Sequence, residues 1–115
     1  MTATTLIALP IILECLLLGG AKVVGAPSMR LRAAHVGFTV DQYRPIGALE
    51  ILAAAGLAVG FAVPLIGVLA ACGLLVLMGG ALVAHIKAGD GPQEIAPAVV
   101  VAVLVIAYLV AAAVS

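Results

Sequence analysis

Between Ile51 and Ala84 the chain runs for 34 residues without an Asp, Glu, Lys or Arg. Almost every residue of that run is apolar, in a 115-residue chain that is 66% hydrophobic with a mean hydropathy of +1.41. A soluble domain of this size has too little interior to hide so much apolar surface. The surroundings that suit it are lipid. In hydrocarbon the backbone must satisfy its own hydrogen bonds, so the spans are helices. A charge inside such a span is costly and asks for a reason.

A helix rises about 1.5 Å per residue, so roughly 20 apolar residues cross the bilayer core. The Ile51–Ala84 run is too long for one crossing, and Gly60-Phe61-Ala62-Val63-Pro64 interrupts it. A flexible glycine followed by a residue without a backbone donor suits a tight turn between antiparallel helices. The expected spans are residues 3–24, 45–62, 64–87 and 95–114, with Ala88-Gly89-Asp90-Gly91-Pro92 ending the third. The expected fold is therefore all-α. It is a single integral-membrane domain over residues 1–115, an antiparallel four-helix bundle with no soluble catalytic module. The apolar N-terminus reads as a first span rather than a cleaved leader. Its first five residues carry no base, Glu14 interrupts the apolar stretch, and no small-x-small cleavage site follows.

One long polar stretch separates the first two spans. Met29, Ala33, Val36, Val40 and Tyr43 recur at steps of three and four, while Arg30, Arg32, His35 and Asp41 fall mostly elsewhere around the helix. The pattern predicts a helix over about residues 28–43 lying in the headgroup plane, with Gly37 as its weak point and an irregular loop as the alternative.

All five basic residues, Lys22, Arg30, Arg32, Arg44 and Lys87, fall in or beside the first and third loops. The positive-inside rule then places those loops in the cytoplasm and both termini outside. The expected location is the cytoplasmic membrane, crossed several times. Net charge is zero, which gives no electrostatic footprint for nucleic acid. Thirty-seven of the 115 residues are Ala or Gly, so helices approach closely, and Gly56 and Gly60 form a GxxxG. Whether that contact lies within the chain or between copies of a homo-oligomer stays open at this level.

Four ionisable residues lie in or at the ends of the spans: Glu14, Lys22, Glu50 and His85. Lys22, Glu50 and His85 are expected in one layer near the cytoplasmic face. Two readings of that layer stand side by side. One is a structural ion pair that fixes helix register, with Lys22 free to snorkel. The other is a ligand or proton site with a titrating histidine. Glu14 lies eight residues before Lys22, about 12 Å deeper. With no base at its depth, it is expected to be protonated, bonded to a backbone carbonyl or serving a proton-linked function. Cys15 and Cys72 differ in depth and read as small buried apolar residues. No metal-ligand spacing is present. Two distant histidines disfavour a bis-histidine haem.

Gly47-Ala48-Leu49-Glu50, Gly79-Gly80-Ala81-Leu82-Val83-Ala84-His85 and Lys87-Ala88-Gly89-Asp90, with Lys22 and Gly25 near the end of the first span, resemble the DoxX-like family of small four-helix membrane proteins. The resemblance covers nearly the whole chain. It implies a polytopic membrane protein, in a wider group that includes a subunit associated with thiosulfate:quinone oxidoreduction and partners in thiol-redox defence. The expectation is an accessory or quinone-linked redox subunit, with quinone as the cofactor and a membrane or redox protein as partner beside the lipid. Glu50 or His85 would hydrogen-bond a quinone carbonyl or pass a proton. Two alternatives belong to other classes: a structural protein that docks a partner in the bilayer, and a proton-coupled transporter of the small multidrug resistance type using Glu14. The last lacks aromatic walls, since the chain has no Trp and only Phe38, Phe61, Tyr43 and Tyr108. No bound-cofactor motif points to an enzyme acting alone.

Overall fold

The computed structural model describes residues 3–114. It contains five helices: α1 (Ala3–Val24), α2 (Pro27–His35), α3 (Val40–Val59), α4 (Pro64–Lys87) and α5 (Pro92–Val114). No strand occurs among the described residues. By length and composition, α1, α4 and α5 are able to cross a membrane. Helix α3 is less apolar, because Asp41, Gln42 and Arg44 fill its first turns and Glu50 sits midway.

α1 packs against α3 and α5, α4 packs against the same two, and the short α2 leans on α3. The tight turns at residues 60–63 and 88–91 reverse the chain. The C-terminal half of α1 meets the N-terminal half of α3. One end of the fold therefore collects the C-termini of α1 and α4, the N-termini of α3 and α5, and α2. Ile11, Leu57, Leu74 and Val105 are the largest fully buried side chains, set among Ala8, Ala53, Ala54 and Ala71. The outer faces are apolar as well: Leu17, Leu52, Val76 and Val103 all point away from the core. Helices apolar on all sides belong in lipid.

Small residues set the helix spacing. A Cβ added to Gly47 would sit 2.5 Å from the Gly19 carbonyl oxygen and 2.7 Å from Lys22 Cβ. Gly19 and Gly47 thus bring the α1 and α3 backbones into contact. Gly56 faces Ala70 of α4, and Gly60 faces Gly67. The GxxxG pair is used within the chain.

The polar segment departs from its expected form. α2 ends at His35, not near residue 43, and Val40 and Tyr43 belong to α3. The cause is local. Gly37 takes φ +84°, and the Phe38 amide reaches back to the Ala33 carbonyl, closing α2. Thr39 then starts a new helix with a capping box: its Oγ1 accepts from the Gln42 amide at 3.2 Å, and its amide donates to Gln42 Oε1 at 2.9 Å. α3 consequently begins five residues before Pro45. α5 begins at Pro92 instead of Ile95, using a proline where a helix needs no donor. Cys15 is buried as expected, but Cys72 is exposed on the outer face of α4 and not in the core.

Candidate functional site

A partly enclosed cavity of about 570 Å³ opens at the end where α2 lies. Its polar lining includes Glu14, Lys22, Glu50 and His85, brought together from three helices. Leu18, Met78 and Val101 supply apolar wall.

The cavity is built around one ion pair. Lys22 sits in the last turn of α1 and α3 carries Glu50 past it, because Gly19 and Gly47 let the two backbones touch. The Lys22 ammonium donates to Glu50 Oε1, with side-chain exposures of 16% and 4%. The same ammonium lies 5.3 Å from the centre of the Tyr43 ring, a cation–π contact. Tyr43 is braced edge-on by Phe38, with ring centres 6.1 Å apart.

His85 does not join this pair. Its Nδ1 donates to Asp90 Oδ2 at 2.6 Å, and the His35 Nε2 donates to the other oxygen, Oδ1. The helix cap explains this. Gly89 takes φ +76° and the Asp90 amide bonds the His85 carbonyl at 3.0 Å, folding the aspartate back over the last turn of α4. The Asp90 carboxylate, only 4% exposed, ties α2 to the α4–α5 corner beside the cavity mouth. Glu14 lines the deeper part of the cavity and forms no ion pair among the described residues. No group of three or more His, Cys, Asp or Glu converges as metal ligands would, again among the described residues.

Sequence reasoning singled out Lys22, Glu50, His85 and Glu14, and all four line one space. It missed His35 and Tyr43 as wall residues, and treated Asp90 only as part of a motif. The Gly89-Asp90 pair directly after a helix was the available signal for the cap that brings Asp90 to His85.

The tie has a pH dependence. Hydrogen bonds from His85 and then His35 hold the Asp90 carboxyl below its ordinary range. A carboxylate depressed in the folded state contributes its stability above the ordinary value of about 3.9 and loses it as pH falls through the lower folded value. Hydrogen-exchange protection of α2 amides, corrected for intrinsic rate, is expected to hold from neutral pH to about 4 and to fall below it. Asp90→Asn should lower that protection already at neutral pH. Unchanged protection in Asp90→Asn would show that α2 is held by something else.

Comparison with curated proteins and with solved structures finds no match. The sequence profile of the DoxX-like family, in contrast, matches residues 5–108, most of the chain. That profile takes in the first-span lysine, the Gly47–Glu50 element and the His85–Asp90 corner together. With three helices able to cross a membrane and Lys22, Glu50, His85 and Asp90 lining one cavity, the chain belongs to the DoxX-like family of membrane proteins.

Proposed function

We propose that the protein is an antiparallel four-helix bundle of the cytoplasmic membrane that holds a quinone for a redox partner. The observation that carries this reading is the cavity shared by Glu14, Lys22, Glu50 and His85. Ligand clefts commonly measure about 300–1,000 Å³, with apolar walls and a few convergent polar groups. The residues fit a quinone head. Leu18, Met78 and Val101 offer a slot for a ring, and Lys22 and Tyr43 carry N–H or O–H groups able to donate to a carbonyl oxygen, while His85, whose Nδ1 donates to Asp90, presents its other ring nitrogen as an acceptor. A bound quinone would supply two-electron, two-proton redox chemistry, with the electrons exchanged through a partner protein. The chain's own part is to orient the head and to offer acids and bases beside it. Among the described residues, Tyr43 is the only Phe, Tyr or Trp lining the cavity, which suits a hydrogen-bonded head better than the caged cation of a multidrug transporter.

In this reading α3 is the fourth crossing. Its 20 residues span about 30 Å, and the Lys22 partner relieves the charge of Glu50. The protein purified in mild detergent should release a quinone on solvent extraction, identified by mass spectrometry. A short-chain quinone added to stripped protein should raise its melting temperature. No extracted quinone and no shift would sink the quinone reading, and a stoichiometric partner without quinone would favour an assembly role.

The end that carries Lys22, Arg30, Arg32, Arg44 and Lys87 faces the cytoplasm in this proposal. A reporter active only outside the cytoplasm, fused to the C-terminus, should be active. Strong activity of a cytoplasm-only reporter at the same place would reverse the orientation.

A further inference from the structure

We propose that Arg30 and Arg44 form a binding site for the phosphate of an anionic phospholipid headgroup, outside the cavity at the membrane boundary. Both guanidinium groups are drawn to one point. α1 ends at Val24, and Gly25, with φ of +67°, turns the chain into α2. A Cβ built on Gly25 would lie 3.2 Å from Arg44 Nη2 and 3.7 Å from Arg30 Nη2. The two forks are therefore close enough for one tetrahedral anion to bridge them, each phosphate oxygen accepting at about 2.7–2.9 Å.

Each arginine is already aimed. Arg30 Nε donates to the Gly25 carbonyl at 3.0 Å, which leaves its terminal nitrogens free of that bond. Arg44 Nη1 donates to Asp41 Oδ1 at 3.2 Å, which leaves Nη2 on the Gly25 side. Asp41 is a single, 81% exposed counter-charge, and Arg30 has no ion pair among the described residues. Two cations beside one exposed carboxylate leave net positive charge at a point where two forks converge. Paired forks of this kind match phosphate oxygens better than a lone ammonium would.

The depth selects a lipid as the source. Helix α1 has 22 residues and so a length of about 33 Å, close to the thickness of a bilayer core. Gly25, directly after it, falls at headgroup level. Val24, one residue before Gly25, is 73% exposed and offers apolar surface for the start of an acyl chain. A soluble phosphate would use the forks but not that surface.

The test is a melting series on the full chain in neutral detergent, with phosphatidylglycerol, phosphatidylcholine or inorganic phosphate added. Phosphatidylglycerol is expected to give a saturable rise in melting temperature, and the other two little or none. Arg30→Gln and Arg44→Gln should each lose most of the rise, while Lys87→Gln, a base at the same end outside the pair, should keep it. Because the three-ligand comparison uses unaltered protein, it decides even where an arginine variant folds poorly. An equal rise with phosphatidylcholine, or a full rise in the double variant, would overturn the site. A full rise with inorganic phosphate would overturn the lipid assignment.

Discussion

Glu50→Gln is expected to destabilise the protein by up to about 3–5 kcal/mol, because it leaves a part-buried ammonium without its counter-charge. The carboxylate it replaces is 4% exposed and its Lys22 partner 16%. With the carboxylate gone, Lys22 faces a neutral amide oxygen and the Tyr43 ring face, the latter a contact of roughly 0.5–2 kcal/mol. Lys22→Met should cost a comparable amount by leaving the carboxylate alone. The pair replaced together, Lys22→Met with Glu50→Gln, should recover a substantial part of either single loss, since no charge is then left unpartnered. Melting in detergent gives the four corners of the cycle. Strictly additive losses would mean that the two charges do not interact. The same cycle separates structure from chemistry in the proposed function. A double variant that regains stability but binds no quinone would assign the pair a ligand role beyond register.

The helices were legible because their signals are local. Gly60 to Pro64 and Gly89 to Pro92 break an otherwise continuous apolar pattern, and α4 occupies the stretch between them. The division between α2 and α3 was not legible by period. Met29, Ala33, Val36, Val40 and Tyr43 keep a helical spacing straight through the break, so periodicity alone joins two helices into one. The competing signal was a capping box: Thr39 followed three residues later by Gln42, just after Gly37.

The candidate site was legible in part, for a related reason. Helical rise places Lys22 and Glu50 at similar depth from their positions near the same end, and the ion pair follows. Rise says nothing about which way a side chain points. His85 shares that end, yet the Gly89 cap folds Asp90 back on it and claims its Nδ1. His35 comes to the same carboxylate from α2, a tertiary placement that no spacing in the sequence encodes. Glycine contacts were hidden by abundance: with 37 small residues in the chain, Gly19 and Gly47 look no different from Gly73 or Gly80.

That contrast among glycines yields the other large expected effect. Gly47→Ala should destabilise the protein, although alanine favours a helix over glycine by about 1 kcal/mol. The added carbon would meet the Gly19 carbonyl oxygen at 2.5 Å, Lys22 Cβ at 2.7 Å and the Val23 nitrogen at 3.2 Å. Two of these atoms are backbone, so relief requires α1 and α3 to move apart. Overpacking of this kind costs about 1–3 kcal/mol or more, which outweighs the propensity gain and sets the sign. Gly47→Val should be worse, and both should loosen the Lys22–Glu50 pair that the close approach brings together. The matched controls are Gly73→Ala and Gly80→Ala, where an added Cβ has nothing within 4 Å. There the helix preference acts alone, and the melting temperature should hold or rise. If Gly47→Ala and Gly73→Ala shift melting alike, the two helices do not touch at Gly19 and Gly47, and the ion pair must be held by some other contact. If they diverge as expected, the position of the charged pair rests on two missing side chains.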